Sequence, residues 1–271
     1  MNTENKTNLA PSNELFPPTV NTSPEATAAP SEALSRSEAV SLPQEIHHYL
    51  WNEIAALTLK PGEKLSEARL ARQFDCSRIP VREAVQRLNR EGALESFPQR
   101  GSFVSLIDMQ HVREVRYLRE VLETRVVLDA YDAGLITPLV PLLRSMLEKQ
   151  EKAIRYNELE KMTDLDYQFH DLFYHLQKKE FVKGHTGYHD IHYLRARRFA
   201  LGIERNDKNR LDDSINIVSQ HRAIVDAVDT GDRAKLEHEL RRHFRNINHT
   251  LENGVLQDEI ARAMFKLEES N

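Results

Sequence analysis

From Leu42 onward the apolar positions fall into regular periods. Ile46, Leu50, Ile54 and Leu57 recur at helical spacing, predicting a first helix that ends before the Pro61-Gly62 turn. Leu70, Ala71 and Phe74 form the inner face of a second, short helix that Ser66 is placed to cap. Asp75-Cys76 reads as a turn. Beyond it Ser77 is set to cap a third helix, with Pro80 in its first turn, where a missing N–H costs little, and Gly92 at its end. The period then changes. Ala93–Phe97 and Ser102–Ile107 read as two strands joined by Pro98-Gln99-Arg100-Gly101. Two helices meeting at a tight turn, with a hairpin after them, form the layout of a winged helix-turn-helix.

After Asp108, itself a candidate N-cap, the chain reads as helical throughout. Helices are predicted over about 109–133, 137–154, 158–177, 186–202, 212–229 and 232–252, with a tail helix to about 268. Breaks fall at Gly134, Pro138, Gly184, Gly202 and Gly231, no strand-like alternation is present, and no repeat recurs. Residues 1–42 are different. Five of the eleven prolines lie there, and the apolar residues show no period, which predicts a disordered tail. The expected fold is therefore mainly α. A tail over 1–42 precedes a winged helix-turn-helix over 43–107 and an all-helical bundle over 108–271.

Composition changes this picture in three ways. The chain carries 29% charged and 40% hydrophobic residues, and no apolar run reaches the ~18 residues of a membrane span, so no membrane partner is expected. A single cysteine, Cys76, excludes an internal disulfide, and the N-terminus lacks a secretory pattern, which together fit a cytoplasmic protein. The net charge of −5 argues against binding nucleic acid over the whole surface. Between Lys60 and Arg100, however, nine Lys/Arg stand against six Asp/Glu, so the winged segment is a basic module on an acidic body.

On the third helix, Val81, Ala84, Val85 and Leu88 form the inner stripe, and Ile79, Arg82, Glu83 and Gln86 face away, with Arg78 at the border. Arg78 and Arg82 thus flank a helix N-terminus, where backbone N–H groups favour phosphate and an arginine can read guanine in the major groove. Arg100 and Gly101 fall at the hairpin tip, where a wing reaches the backbone or minor groove. A solvated helix face would carry the same arginines; the order helix, helix, hairpin favours double-stranded DNA as the partner.

The helical half holds a second constellation. Asp166 and His170 stand four apart on one helix, at the edge of the stripe Met162, Leu165, Phe169, Leu172, Phe173 and Leu176. Asp171 and His175 share the spacing but fall on the far side. His221 sits among Ile217, Val218, Ile224 and Val225, and His243 among Leu236, Leu240 and Ile247, on helices that meet at Thr230-Gly231. Counted from that turn, the two histidines stand ~15 and ~18 Å along facing helices, nearly level. Asp166, His170, His221 and His243 can therefore converge. Three imidazoles and a carboxylate suit a divalent first-row metal, zinc first, with nickel or manganese as alternatives. The competing reading is four core residues satisfied by backbone carbonyls. Arg119 and Glu123, also four apart, fit a surface ion pair or an arginine directed at a carboxylate ligand.

The run P-G-E-K-L-S-E-x-x-L-A-x-x-F-x-x-S-R-x-P-V-R-E-A-V-x-R-L-x-x-E-G-x-L, followed by R-G-x-F-V, resembles the DNA-binding domain of the GntR family of bacterial transcription regulators, in particular its FadR-like branch. The resemblance implies DNA contacts at Arg78, Ile79, Arg82, Arg100 and Gly101. Thr is frequent in the family where this chain has Ile79, so that contact would be apolar. The helical half is similar to FCD-type ligand-binding domains, whose D-x-x-x-H and two later histidines match Asp166, His170, His221 and His243. Gln220 stands where family members often have Glu. The family's R-x-x-x-E start matches Arg119 and Glu123, which implies a small carboxylate effector; Arg195, Arg197 and Arg198 are further candidates for that role.

The expectation is a ligand-responsive transcription regulator rather than an enzyme. It would be a homodimer reading a near-palindromic operator, with the linker around Ile107–Gln110 re-spacing its two heads. Two readings compete. One is a metal-dependent hydrolase with a DNA-binding appendage, although neither H-E-x-x-H nor G-x-S-x-G is present. The other is a constitutive DNA-binding dimer without an effector.

Overall fold

The computed structural model describes residues 40–187, 190–200, 209–257 and 263–266. The tail expected over 1–42 lies outside these residues as far as 39.

Helix α1 (Leu42–Ala55) buries Ile46, Leu50 and Ile54 along one face. It packs against α3 (Arg78–Arg90), which presents Val81, Ala84, Val85 and Leu88 in return, and α2 (Glu67–Gln73) adds Leu70 and Ala71. Ser66 caps α2 as expected, its hydroxyl accepting from the Arg69 N–H at 3.3 Å. Ser77 occupies the N-cap position of α3, but its side chain makes no capping bond. The reason lies in the sequence: Pro80 stands at the third helical position, where the N–H such a cap would bind is missing.

The hairpin is shorter than expected and has a third strand. Strands β2 (Leu94–Phe97) and β3 (Gly101–Val104) pair antiparallel, and β1 (Lys64–Leu65) adds to the other edge of β3 in the order β1-β3-β2. Two residues are too few to show a strand period, so β1 was not legible. Gln99 and Gly101, at φ of 61° and 95°, make the tip.

Ile107, expected to finish the second strand, instead joins Asp108 in a separate strand β4 (Ile107–Asp108) that pairs parallel with β5 (Phe265–Lys266). This corrects the tail helix drawn to about 268. Phe265 is almost fully buried against Leu57, Ile107, Val112 and Phe199, so the chain returns to seal the junction between the halves.

The bundle consists of α4 (Met109–Asp132), a 3-10 turn at Thr137–Leu139, α5 (Val140–Arg155), α6 (Leu159–Leu176), α7 (Glu180–Lys183), α8 (Ile191–Ala200), α9 (Asn209–Asp229) and α10 (Arg233–Gln257). The Asp108 carboxylate caps α4 through the His111 N–H at 3.1 Å. One core unites α4, α5, α6, α9 and α10 through Val126, Leu143, Leu147, Phe169, Val225 and Leu240. The helix expected over 186–202 starts only at Ile191, and α7 precedes it. Four residues carry too little pattern to announce α7, yet it folds back on α6, where Lys183 pairs with Asp171. Asp171 is thereby buried rather than solvated on the far face. No single described helix is long and apolar enough to cross a membrane.

Candidate metal and effector centre, and the DNA-reading face

The bundle brings His170, His221 and His243 together, one from each of α6, α9 and α10, all buried. One ligand nitrogen from each lies within 4.8 Å of the others. His243 Nε2 stands 3.2 Å from His170 Nε2, and His221 Nε2 is buried without a hydrogen-bond partner.

The other ring nitrogens explain this convergence. His221 Nδ1 meets Gln150 Oε1 at 3.1 Å, and His243 Nδ1 meets Gln220 Oε1 at 2.9 Å. Each amide is oriented by a second bond, Gln150 Nε2 donating to the Leu165 carbonyl at 3.2 Å and Gln220 Nε2 to Asn216 Oδ1 at 3.2 Å. Both oxygens therefore accept, and both Nδ1 atoms carry the proton. His170 Nδ1 faces the Glu123 carboxylate at 2.9 Å and donates in the same way. For neutral rings these bonds assign all three protons to Nδ1 and leave three Nε2 lone pairs aimed at one another. Lone pairs crowded in a dry site repel unless a cation or proton stands between them.

The electrostatics keep His221 and His243 neutral. Burial pulls His221 down to about 3, with Asp166 opposing only in part. His243 also lies well below its ordinary value, through burial and then through the neighbouring His221 and His170. Burial alone would raise the two carboxylates. Arg119 and His170 outweigh it at Glu123 and hold it at about 2; Arg197 leads the same effect on Asp166, also at about 2. Phe169 stacks on the His221 ring, 4.3 Å between centroids, and closes that side of the cluster.

Asp166 reaches the cluster differently from the histidines. Its Oδ1 lies 3.6 Å from His221 Nε2, while Oδ2 accepts from Arg197 at 2.5 Å. Arg119 and Glu123 are not a surface pair: both are buried, and Arg119 Nε donates to Glu123 Oε1 at 2.6 Å. Arg119 also bonds the Tyr193 hydroxyl, and its guanidinium lies over the rings of Tyr193 and Phe244 at 5.0 and 5.7 Å. The three arginines of α8 divide. Arg197 faces the cluster, Arg198 pairs with the exposed Glu160, and Arg195 points toward the winged half. Sequence reasoning passed over Gln150 and Tyr193. Gln150 had a signal, as the one polar member of the buried α5 stripe Val140, Leu143, Met146, Leu147, Ala153 and Ile154. Tyr193 had none.

Arg195 joins the two halves. It is fully buried and donates to the Ser105 carbonyl at 2.7 Å and the Ser105 hydroxyl at 2.9 Å. Ile191, four residues earlier on α8, enters the core of the winged half beside α1 and α3. His192 Nδ1 accepts from the Asp108 N–H at 3.1 Å. One ten-residue helix thus holds the cluster side with Tyr193 and Arg197 and the winged side with Ile191, His192 and Arg195.

On α3, Arg78, Ile79, Arg82 and Gln86 form an exposed face, with 66% of Ile79 open to solvent. Arg82 Nε donates to Glu67 Oε2 of α2 at 3.2 Å, so this arginine is held rather than loose. Asn89 Nδ2 bonds Ser96 Oγ at 2.9 Å and fixes the hairpin relative to α3. Arg100 lies exposed at the tip, 5.6 Å over the Phe97 ring, beside Gly101.

Two family profiles match successive parts of the chain. A family profile described as bacterial regulatory proteins, gntR family, matches residues 42–104, and the FCD domain profile matches residues 114–246. An uncharacterized HTH-type transcriptional regulator in an unstable DNA locus of Streptomyces ambofaciens is 35% identical over 204 residues, 75% of this chain and 82% of that protein. The HTH-type transcriptional repressor RspR of Escherichia coli K12 is 36% identical over 130 residues, 48% of this chain and 56% of its own length. The solved structure of E. coli McbR/YncC shares the fold, with a TM-score of 0.60 at 22% identity over 79% of this chain and 99% of that one.

Proposed function

Because the chain belongs to the GntR family of DNA-binding transcription regulators and carries an FCD domain, we propose that it is a metal-assisted, effector-controlled repressor acting as a homodimer in the cytoplasm. The repressor assignment follows the named function of RspR. The observation that carries the sensing half of the proposal is the convergence of three buried imidazoles on one point while their Nδ1 atoms face Gln150, Gln220 and Glu123. Gln150, Gln220 and Glu123 orient three imidazoles as ligands, and an orphaned His221 Nε2 is what a missing partner would leave.

His170, His221 and His243 would hold a divalent cation, zinc first and nickel or manganese as alternatives, with Asp166, whose Oδ1 faces His221 Nε2 while Oδ2 keeps Arg197, available as a fourth ligand. Such an ion would supply a Lewis-acidic anchor for one end of a small carboxylate. Arg119 and Arg197 are the cationic side chains beside it. An effector that re-pairs either arginine acts on α8, through Tyr193 or directly, and α8 bears on the winged half through Ile191 and Arg195. The response is bounded by the effector's difference in affinity between the two states. At the output end Arg78, Ile79, Arg82 and Gln86 enter the major groove of a near-palindromic operator, and Arg100 and Gly101 contact the flanking backbone or minor groove.

Native mass spectrometry of the freshly purified protein tests this reading. The expected spectrum is a dimer with one divalent metal per subunit, and the metal is lost in His221→Ala. A metal-free protein that takes up no zinc, nickel or manganese on titration would remove the sensing half. Operator affinity that stays constant across a panel of carboxylates would leave a constitutive DNA-binding dimer.

A further inference from the structure

Helix α4 has two working faces. The inner one buries Arg116, Arg119, Glu123 and Val126. The outer one carries Tyr117, Leu118 and Val121, which are 71%, 38% and 46% exposed. At helical spacing Glu114 and Arg125 fall on this same side, one turn beyond each end of the apolar group. Both are exposed, and 76% of the Arg125 side chain is open although it leans on Asp129 at 2.9 Å.

We infer that this stripe is where a second copy of the chain docks, α4 against α4 and antiparallel about a two-fold axis between Leu118 and Val121. The inference rests on the homodimer reading and names its surface. The stripe is self-complementary in that arrangement only. With the axis there, Leu118 of one copy faces Val121 of the other at both crossings, and Tyr117 faces Leu122. Glu114 faces Arg125 at each end, acid to base, so both ends are paired at once. A parallel pairing in register would set Glu114 against Glu114 and Arg125 against Arg125. Two apolar residues and a largely exposed tyrosine between matched charges match the core and rim of a protein interface. The geometry also suits the output. The winged half joins α4 at Met109, and antiparallel pairing would place the two Met109 positions ~32 Å apart at 1.5 Å per residue. Half-sites one DNA turn apart are separated by ~34 Å.

Sedimentation equilibrium on the full chain tests the surface by charge reversal. Glu114→Arg and Arg125→Glu should each weaken dimerisation about tenfold or more, because each sets like charges opposite one another twice. The double variant E114R/R125E should return to wild-type affinity. Mixing the two single variants should yield heterodimers, identified by mass, since one then carries only arginine and the other only glutamate at the paired positions. Val121→Glu should weaken the dimer in every background. The exposed positions leave the fold intact, which far-UV circular dichroism of each variant checks. A wild-type monomer at all concentrations would overturn the homodimer reading itself. A wild-type dimer indifferent to these changes would overturn the α4 surface alone. Weakening by both single changes without recovery in the double variant or the mixture would overturn the antiparallel register.

Discussion

Arg195 Nη1 donates to the carbonyl oxygen of Ser105 at 2.7 Å across 90 residues of sequence, and among the described residues no carboxylate forms an ion pair with it. A fully buried guanidinium bound to carbonyl, hydroxyl and imidazole groups is a costly device, and burial pulls its proton affinity down to about 10. Its place explains the cost: Ser105 lies in the link between β3 and α4, so the bond fixes the winged half to the helix that carries Arg197. Arg195→Met keeps the bulk and removes four bonds. It should destabilise the junction by about 2–3 kcal/mol. Calorimetry should then show the winged half and the bundle melting apart. A single transition at the wild-type temperature would refute the role.

The three-histidine cluster predicts a metal-linked stability. With free metal at about a thousand times its dissociation constant, bound ion adds about 4 kcal/mol to the folded state. Chelation should lower Tm accordingly, and His170→Ala, His221→Ala or His243→Ala should each abolish the difference. Gln220→Leu removes the amide whose oxygen faces His243 Nδ1 and leaves the three ligand rings in place, so metal affinity should fall about 10–100-fold without being lost. Isothermal titration with zinc decides between these outcomes.

The chelated protein should lose stability on acidification in two stages. His221, His192 and His243 have folded pKa values of about 3, about 4 and well below normal, against ~6.5 when unfolded. A depressed folded value means the unfolded chain binds the proton first. That contribution is complete above pH ~6.5 and declines as pH falls toward 4 and 3. Glu123 and Asp166, both held at about 2, give a second loss below pH ~4.5. Urea midpoints that stay level from pH 8 to pH 5 would contradict the first stage.

On the DNA side, Arg78→Ala should cost about 1–3 kcal/mol and relax base preference at one position in each half-site. Arg100→Ala should weaken all duplexes alike and lower the salt slope by about 1. Ile79→Thr should change which base is preferred rather than the overall affinity, because it exchanges an apolar contact for a hydrogen-bonding one. Binding curves over a randomised operator library separate the three effects. A preference unchanged in Ile79→Thr would exclude that position from base reading.

The sequence by itself determined most of the elements and both constellations. Period and caps placed α1 to α6, and the faces of α6, α9 and α10 pointed His170, His221 and His243 inward before any coordinates, because a helix converts spacing directly into direction. The same logic placed Arg78, Ile79, Arg82 and Gln86 on the outer face of α3. What spans distant parts of the chain was decided only by tertiary structure. Gln150 meeting His221, Arg197 meeting Asp166, Arg195 meeting Ser105 and Phe265 closing beside Ile107 pair residues 31 to 158 positions apart. No local period encodes such pairs, since each contact depends on how whole helices and strands stack. The short α7 and the two-residue strands β1, β4 and β5 escaped for a related reason. They are held by neighbours rather than by their own pattern, and a pattern is all that a sequence alone displays.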